Sequence, residues 1–209
     1  MTKNNRWGAA ALAFAGVMFL LYPAVRPWHD ETTQAGAHAS MASAAWVAAH
    51  FFAMLGFIAV ALAMLALRAL IPSRLATAAL ITTWVGAGLT LPYYGAEDFG
   101  LHGAARSDVT DLVALADAVR YTPLALTTFG FGLLALGAGA VLAAAAVWRS
   151  GVVARPGAIL YAIGFALFLP QFYLPPAARI AHGVLLAAGC AWFAAALWQS
   201  GERERVLID

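Results

Sequence analysis

The sequence predicts an all-α integral membrane protein: a six-helix transmembrane bundle, both termini cytoplasmic, with a short amphipathic interfacial helix between spans three and four. Three observations predict it. Apolar residues make up 63% of the 209-residue chain and charged residues 11%, where a soluble domain carries about 25% charged. Apolar runs near the roughly 20 residues needed to cross a bilayer recur along the chain. Basic residues crowd one side of those runs. Such a composition excludes soluble enzyme folds, nucleic-acid modules, disulfide scaffolds and disordered tails. A net charge of +2 offers little to a polyanion, so nucleic acid is not an expected partner. The lipid bilayer is the expected one, and a lipophilic small molecule or a homo-oligomer is compatible with it.

The spans fall at residues 7–25, 44–67, 75–95, 121–148, 156–174 and 177–199, within a single transmembrane domain over 1–209. The first follows Lys3 and Arg6 as a signal peptide would, but Tyr22-Pro23-Ala24-Val25-Arg26 offers no small-x-small cleavage site, so it reads as a retained helix. Pro72 and Ser73 separate spans two and three, Gly151 and Pro156 punctuate the link between four and five, and Pro175-Pro176 turns five into six. Two longer connections remain. Residues 26–43 read as solvated loop, with His29, Asp30 and Glu31 in water. Residues 96–120 contain Val109, Leu112, Val113, Ala116 and Val119 at helical period, with Asp108, Asp111 and Asp117 on other faces. That is the pattern of an amphipathic helix lying in the interface as a lid. Asp117 and Arg120, three residues apart, predict an ion pair.

Orientation follows from Lys and Arg. A cytoplasmic N-terminus places Lys3, Arg6, Arg68, Arg74, Arg149, Arg155, Arg203 and Arg205 inside, and only Arg26, Arg106, Arg120 and Arg179 outside. The bias of arginine over lysine, with abundant alanine, is that of a GC-rich, actinobacterial genome. The histidines His29, His38, His50, His102 and His182 all then fall on or near the outer side. So do Asp30, Glu31, Glu97, Asp98, Asp108, Asp111 and Asp117, leaving Glu202, Glu204 and Asp209 in the cytoplasmic tail. Any site therefore opens toward the outer face.

Ionisable groups inside a span are functional candidates by default. His50 and His182 each lie six residues into a helix, about 9 Å along its axis, beneath the same surface. Arg179 shares a helix face with His182. Interhelical hydrogen bonding is the structural alternative for both histidines. The third span carries Thr83, Gly86, Thr90, Tyr94 and Glu97 at three- and four-residue spacing, one stripe along one face. Gly86 and Gly88 permit close approach of a helix or flat ligand, and Pro92 predicts a kink near the polar end. The run from Glu97 and Asp98 to His102 pairs adjacent carboxylates with a histidine, suited to proton transfer or metal ligation, or equally to helix capping. Thr90, Tyr94, Arg120, Gln171 and Arg179 are candidates for substrate contact. Gly130, Gly132, Gly137 and Gly139 form a close-packing face. Cys190 is a lone thiol in an apolar run and allows no internal disulfide. Zinc-helix, phosphate-loop, nucleophile-elbow and paired-cysteine motifs are absent from the sequence.

Trp46-Val47-Ala48-Ala49-His50, followed by an apolar helix, resembles the second helix of styrene oxide isomerases, small membrane enzymes that carry haem b. Trp84 and Gly88 before an aromatic helix end are similar to that family's third helix. The resemblance covers at most residues 1–148 and has no counterpart for spans five and six. It implies His50 as axial ligand and metal-binding residue for haem b. Gly56 stands where the family has an asparagine, and Thr90 lies near the place of its catalytic tyrosine, which puts epoxide isomerisation in question.

The function these residues point to is a membrane-embedded haem protein or acid/base enzyme acting on a lipophilic substrate. His50 would be the ligand, with Glu97, Asp98, His102 and His182 as acid, base or orienting groups. A proton-coupled or small-solute transport or sensing protein, and a non-catalytic accessory membrane protein, remain the alternatives.

Overall fold

The computed structural model describes the backbone of residues 3–206 and the side chains of residues 6–200. The side chains of Lys3, Glu202, Arg203, Glu204, Arg205 and Asp209, used above for orientation, lie outside the described residues. Every regular element among those described is helical: α1 (Lys3–Val25), α2 (Gln34–Met41), α3 (Ala44–Leu70), α4 (Arg74–Gly95), a π-helix (Ala96–Leu101), α5 (His102–Ala105), α6 (Leu112–Tyr121), α7 (Pro123–Ser150), α8 (Arg155–Ala166), a 3-10 turn (Pro170–Tyr173) and α9 (Pro176–Val206).

Local chemistry sets the boundaries. Ser43, Ser73 and Thr122 each accept a hydrogen bond from the amide three residues on, capping α3, α4 and α7. Pro123 opens α7, where its missing N–H costs nothing. Gly151 closes α7 at φ 67°, the one left-handed residue described. Among the described residues five helices are long and apolar enough to cross a membrane: α1, α3, α4 continued to Ala105, α7 and α9. The expected span at 156–174 is interrupted instead. Pro170 cannot donate to the carbonyl of Ala166, and its ring would clash there, so α8 stops at Ala166 and the chain resumes as a 3-10 turn.

The long helices close into a ring. α1 packs on α3 and α9, α3 on α4, α4 on α7, α7 on α8, and α8 on α9. Large apolar side chains such as Phe14, Ile58, Leu62, Ile81, Phe131 and Trp192 point outward, the inverse of a water-soluble protein. Inside, Phe19 meets Phe57, Phe165 and Phe168 edge-on at 5.1–5.7 Å between ring centroids. Helices that gain no hydrophobic energy from leaving lipid must associate by close packing. The stripe of α4 does this: Gly86, Thr83 and Thr90 lie against Leu136, Gly139 and Gly132 of α7. Gly88 faces open space rather than a neighbour, and so does Gly130.

The loop-rich end carries a cap. Asp30 accepts from the amide and hydroxyl of Thr32, Thr33 caps α2, and α2 occupies the connection read from sequence as plain loop. The predicted amphipathic helix is α6, its Leu112 and Ala116 buried with Ala37, Met41, Trp46, Leu101 and Ala105. Gln34 joins the two segments: its amide nitrogen donates to Asp111 Oδ1 at 2.5 Å and its oxygen accepts from the Leu112 amide at 3.0 Å. Asp111 also caps α6 through the Ala114 amide, and these bonds hold its carboxyl below its ordinary pKa.

The α4–α7 crossing gives a direct test. Gly132→Ala would drive a methyl into Thr90 and is expected to cost about 1–3 kcal/mol. Gly88→Ala is expected to change stability by less than about 0.5 kcal/mol. Thermal melts of the two variants in one detergent decide between them.

Candidate functional site

The site begins at the start of α3. The Ser43 cap fixes the first turn, so Trp46 and His50, four residues apart, share the inward face. Trp46 donates its indole N–H to the carbonyl of Glu97 at 2.8 Å, tying α3 to the end of α4. There the helix changes character. Residues 96–101 form a π-helix, whose wider turn leaves Glu97, Asp98 and Leu101 all buried. α4 runs through Pro92 to Gly95, and the π-helix begins four residues after the proline.

A chain of alternating charge crosses the end of the bundle. Arg26 donates to Glu31 Oε1 at 2.7 Å. Arg120 donates to Glu31 Oε2 at 2.9 Å. It also grips Glu97 with two bonds, Nε to Oε1 at 2.6 Å and Nη2 to Oε2 at 2.9 Å. Glu97 Oε2 then lies 3.9 Å from His50 Nε2. The Arg120 and Glu97 side chains are only 13% and 7% exposed, and such a pair survives burial only when its geometry is good. Burial disfavours the Arg120 charge, but hydrogen bonds and the charges of Glu97 and Glu31 outweigh it and raise the guanidinium pKa above its ordinary value.

His50 Nδ1 sits 2.8 Å from the carbonyl of Trp46. A carbonyl only accepts, so Nδ1 carries the proton in that bond, and a neutral ring leaves Nε2 as an acceptor. Trp46 is the floor of the array: its ring lies 4.3 Å from the His50 ring, and the Arg26 and Arg120 guanidinium carbons lie 4.9 Å and 5.8 Å from its centre.

Arg26, Glu31, His50, Glu97 and Arg120 border a cavity of about 540 Å³, walled also by Tyr22, Tyr93, Tyr94, Phe129, Phe172 and Arg179. The size is that of a small-molecule site. Tyr121, Leu126, Gly130, Leu169 and Tyr173 complete the lining. Arg179 is held by Gln171 Oε1 at 3.1 Å and the Tyr22 hydroxyl at 3.5 Å, with Trp28 and Phe172 against its guanidinium.

Of the residues singled out from sequence, His50, Tyr94, Glu97, Arg120 and Arg179 meet at this cavity. Gln171 stands behind it as the partner of Arg179. The others lie elsewhere. His182 Nε2 donates to the Gly164 carbonyl at 2.8 Å, joining α9 to α8. His102 Nδ1 donates to the Met41 carbonyl at 2.7 Å, fastening the cap. Thr90 donates to Gly86 within α4. Asp98 is fully buried outside the cavity lining, and neither of its oxygens has a hydrogen-bond partner among the described residues. Arg120 does not pair with Asp117, which is exposed; its reach is taken up by Glu97 and Glu31. Glu31, expected in water, bridges two arginines. Sequence reasoning therefore missed Glu31 and Arg26, together with Tyr22 and Tyr93. The one available signal was Arg26 itself, an outer-side arginine flanked by Tyr22 and Trp28.

Compared with known proteins, the chain matches no family model, no curated protein and no solved structure.

Two stability effects follow. Arg120→Ala strands the buried Glu97 carboxylate and leaves Glu31 with Arg26 alone, and is expected to cost about 3–5 kcal/mol. Combining Arg120→Leu with Glu97→Gln is expected to cost less than the sum of the two single changes, as a double-mutant cycle in detergent would read. Asp98→Leu removes an unpartnered buried carboxyl and is expected to raise stability by about 1–3 kcal/mol. A loss of stability there would mean the carboxyl has a partner of its own.

Proposed function

We propose that the protein is a six-crossing membrane protein with both termini cytoplasmic, and that its outward cavity binds a lipophilic small molecule and moves a proton through His50. The fifth crossing would be α8 with the 3-10 turn that follows it. The observation that carries the functional part is the orientation of His50. Nδ1–H is engaged by the Trp46 carbonyl, and Nε2 is directed toward Glu97 in the cavity wall. A base held in one tautomer beside a fixed carboxylate is the arrangement that stabilises an imidazolium as it forms.

The roles differ from those expected from sequence. Glu97 is held as an anion by Arg120, which makes it a poor proton donor and a good counter-ion. His50 is the group free to exchange a proton with a bound molecule at Nε2. Arg120 positions Glu97, and Trp46 positions both. Tyr93, Tyr94, Phe129 and Phe172 supply apolar surface for the body of the ligand.

Haem b on His50 is the alternative that the same hydrogen bond favours, because metal-bound histidines commonly donate their other ring nitrogen to a carbonyl. His50 Nε2 would hold the iron, with Arg179 and the unbonded Nε of Arg26 as partners for the propionates. The haem would supply Lewis-acidic iron.

One experiment separates them. Protein purified from its membranes is extracted and analysed by mass spectrometry beside Gly130→Leu, which fills the cavity mouth from a position with open space around it. A lipophilic compound enriched in the wild type and reduced at least tenfold in Gly130→Leu is expected; equal recovery would overturn the cavity as the site. A Soret band lost in His50→Ala would select the haem alternative.

A further inference from the structure

We infer that the cavity takes an anionic amphiphile, with its negative head on Arg179 and Arg26 and its apolar body against the aromatic wall. This rests on the cavity being a ligand site, as proposed above, and adds the charge of the ligand.

Charge is the first argument. Three guanidinium groups line the cavity, Arg26, Arg120 and Arg179, against two carboxylates, Glu31 and Glu97. Both carboxylates are already engaged, Glu97 by Arg120 and Glu31 by Arg120 and Arg26 together. Arg179 is the cation left over. Among the described residues it has only neutral hydrogen-bond partners, the Gln171 amide and the Tyr22 hydroxyl. A half-buried guanidinium facing a low-dielectric cavity without a counter-ion is a site waiting for an anion.

The second argument is an unused donor. Arg26 gives Nη1 to the Pro27 carbonyl and Nη2 to Glu31, while its Nε is buried and bonded to nothing described. Buried donors are seldom left unmade. Arg26 and Arg179 also lean on one indole, their guanidinium carbons 4.7 Å and 4.8 Å from the centre of the Trp28 ring. The two cations are therefore within about 10 Å of each other, inside the range over which like charges repel in salt water. An anion in the cavity that both arginines line would relieve that repulsion. The planar fork of arginine suits a carboxylate or phosphate head.

The wall argues for the rest of the molecule. Tyr93 stacks on Phe129 at 4.0 Å, Phe129 meets Phe172 edge-on, and Phe172 lies 5.0 Å from the Arg179 guanidinium carbon, so an aromatic wall runs up to that arginine. Tyr121, Leu126 and Tyr173 are exposed at the rim, where aromatic side chains mark the level of lipid headgroups. An amphiphile reaching this rim from the bilayer has its head at arginine level and its tail among apolar side chains. A free carboxylic amphiphile and an anionic lipid share that chemistry.

The test uses the full chain in nanodiscs of neutral phosphatidylcholine, with dodecanoate, dodecanol and dodecylammonium as probes of matched tail. Dodecanoate is expected to bind at least tenfold more tightly than dodecanol, with dodecylammonium weakest. Arg179→Gln should abolish that preference and Arg179→Lys should keep most of it, each checked for an unchanged melting profile. Equal binding of acid and alcohol, both lowered by Gly130→Leu, would overturn the charge inference and leave the cavity standing. No binding of any probe, or binding insensitive to Gly130→Leu, would overturn the cavity itself. Nanodiscs containing phosphatidylglycerol separate the sources. Loss of dodecanoate binding there identifies a lipid headgroup as the anion, and undiminished binding identifies a free amphiphile.

Discussion

A buried carboxylate at the end of a long apolar helix has to find a cation or give up its charge. Glu97 finds Arg120, and much of the capped end follows from that pair. Arg120 lies near the end of α6, so gripping Glu97 brings α6 down over the bundle. The same guanidinium takes Glu31 from the first connection, and Glu31 takes Arg26 from the end of α1. Trp46 completes the frame by bonding the Glu97 carbonyl and underlying both arginines. The end of α1, the first connection, α3, the end of α4 and α6 are thus held together by polar contacts.

The rest of the bundle obeys a different constraint. Its interior combines small residues and interlocked aromatics with leucines such as Leu12, Leu67 and Leu136, while other large apolar side chains face outward. Association depends on fit rather than on escape from solvent. The stripe of α4 serves both ends of that division. Thr83, Gly86 and Thr90 pack on the glycines of α7, and the same face continues through Tyr94 to Glu97 at the cavity.

Features written in local sequence were legible without a structure. Apolar run length located the long helices to within a few residues, because crossing distance and helical rise leave little freedom. The three- and four-residue recurrence exposed the α4 stripe and α6. What depended on distant partners was not legible. Nothing near Glu31 announces Arg120, 89 residues away. Nor do neighbouring residues distinguish His50, which faces the cavity, from His182, which holds a carbonyl of α8. Hydropathy is likewise blind to backbone continuity, so residues 156–174 read as one span although Pro170 ends the helix. The segment Gln34–Met41 is short and rich in small residues, and it carries no amphipathic pattern to reveal α2.

The bridge between Gln34 and Asp111 spans 77 residues of sequence. Its partners emerge from a ribosome at well-separated moments, with α3 and α4 made between them. Until α6 is delivered, Arg26 can satisfy Glu31 locally, but Glu97 has no cation and His50 has no ordered carboxylate beside it. The first half of the protein is therefore made with an unfinished polar cluster. A chain cut short before Arg120 would leave Glu97 without its cation.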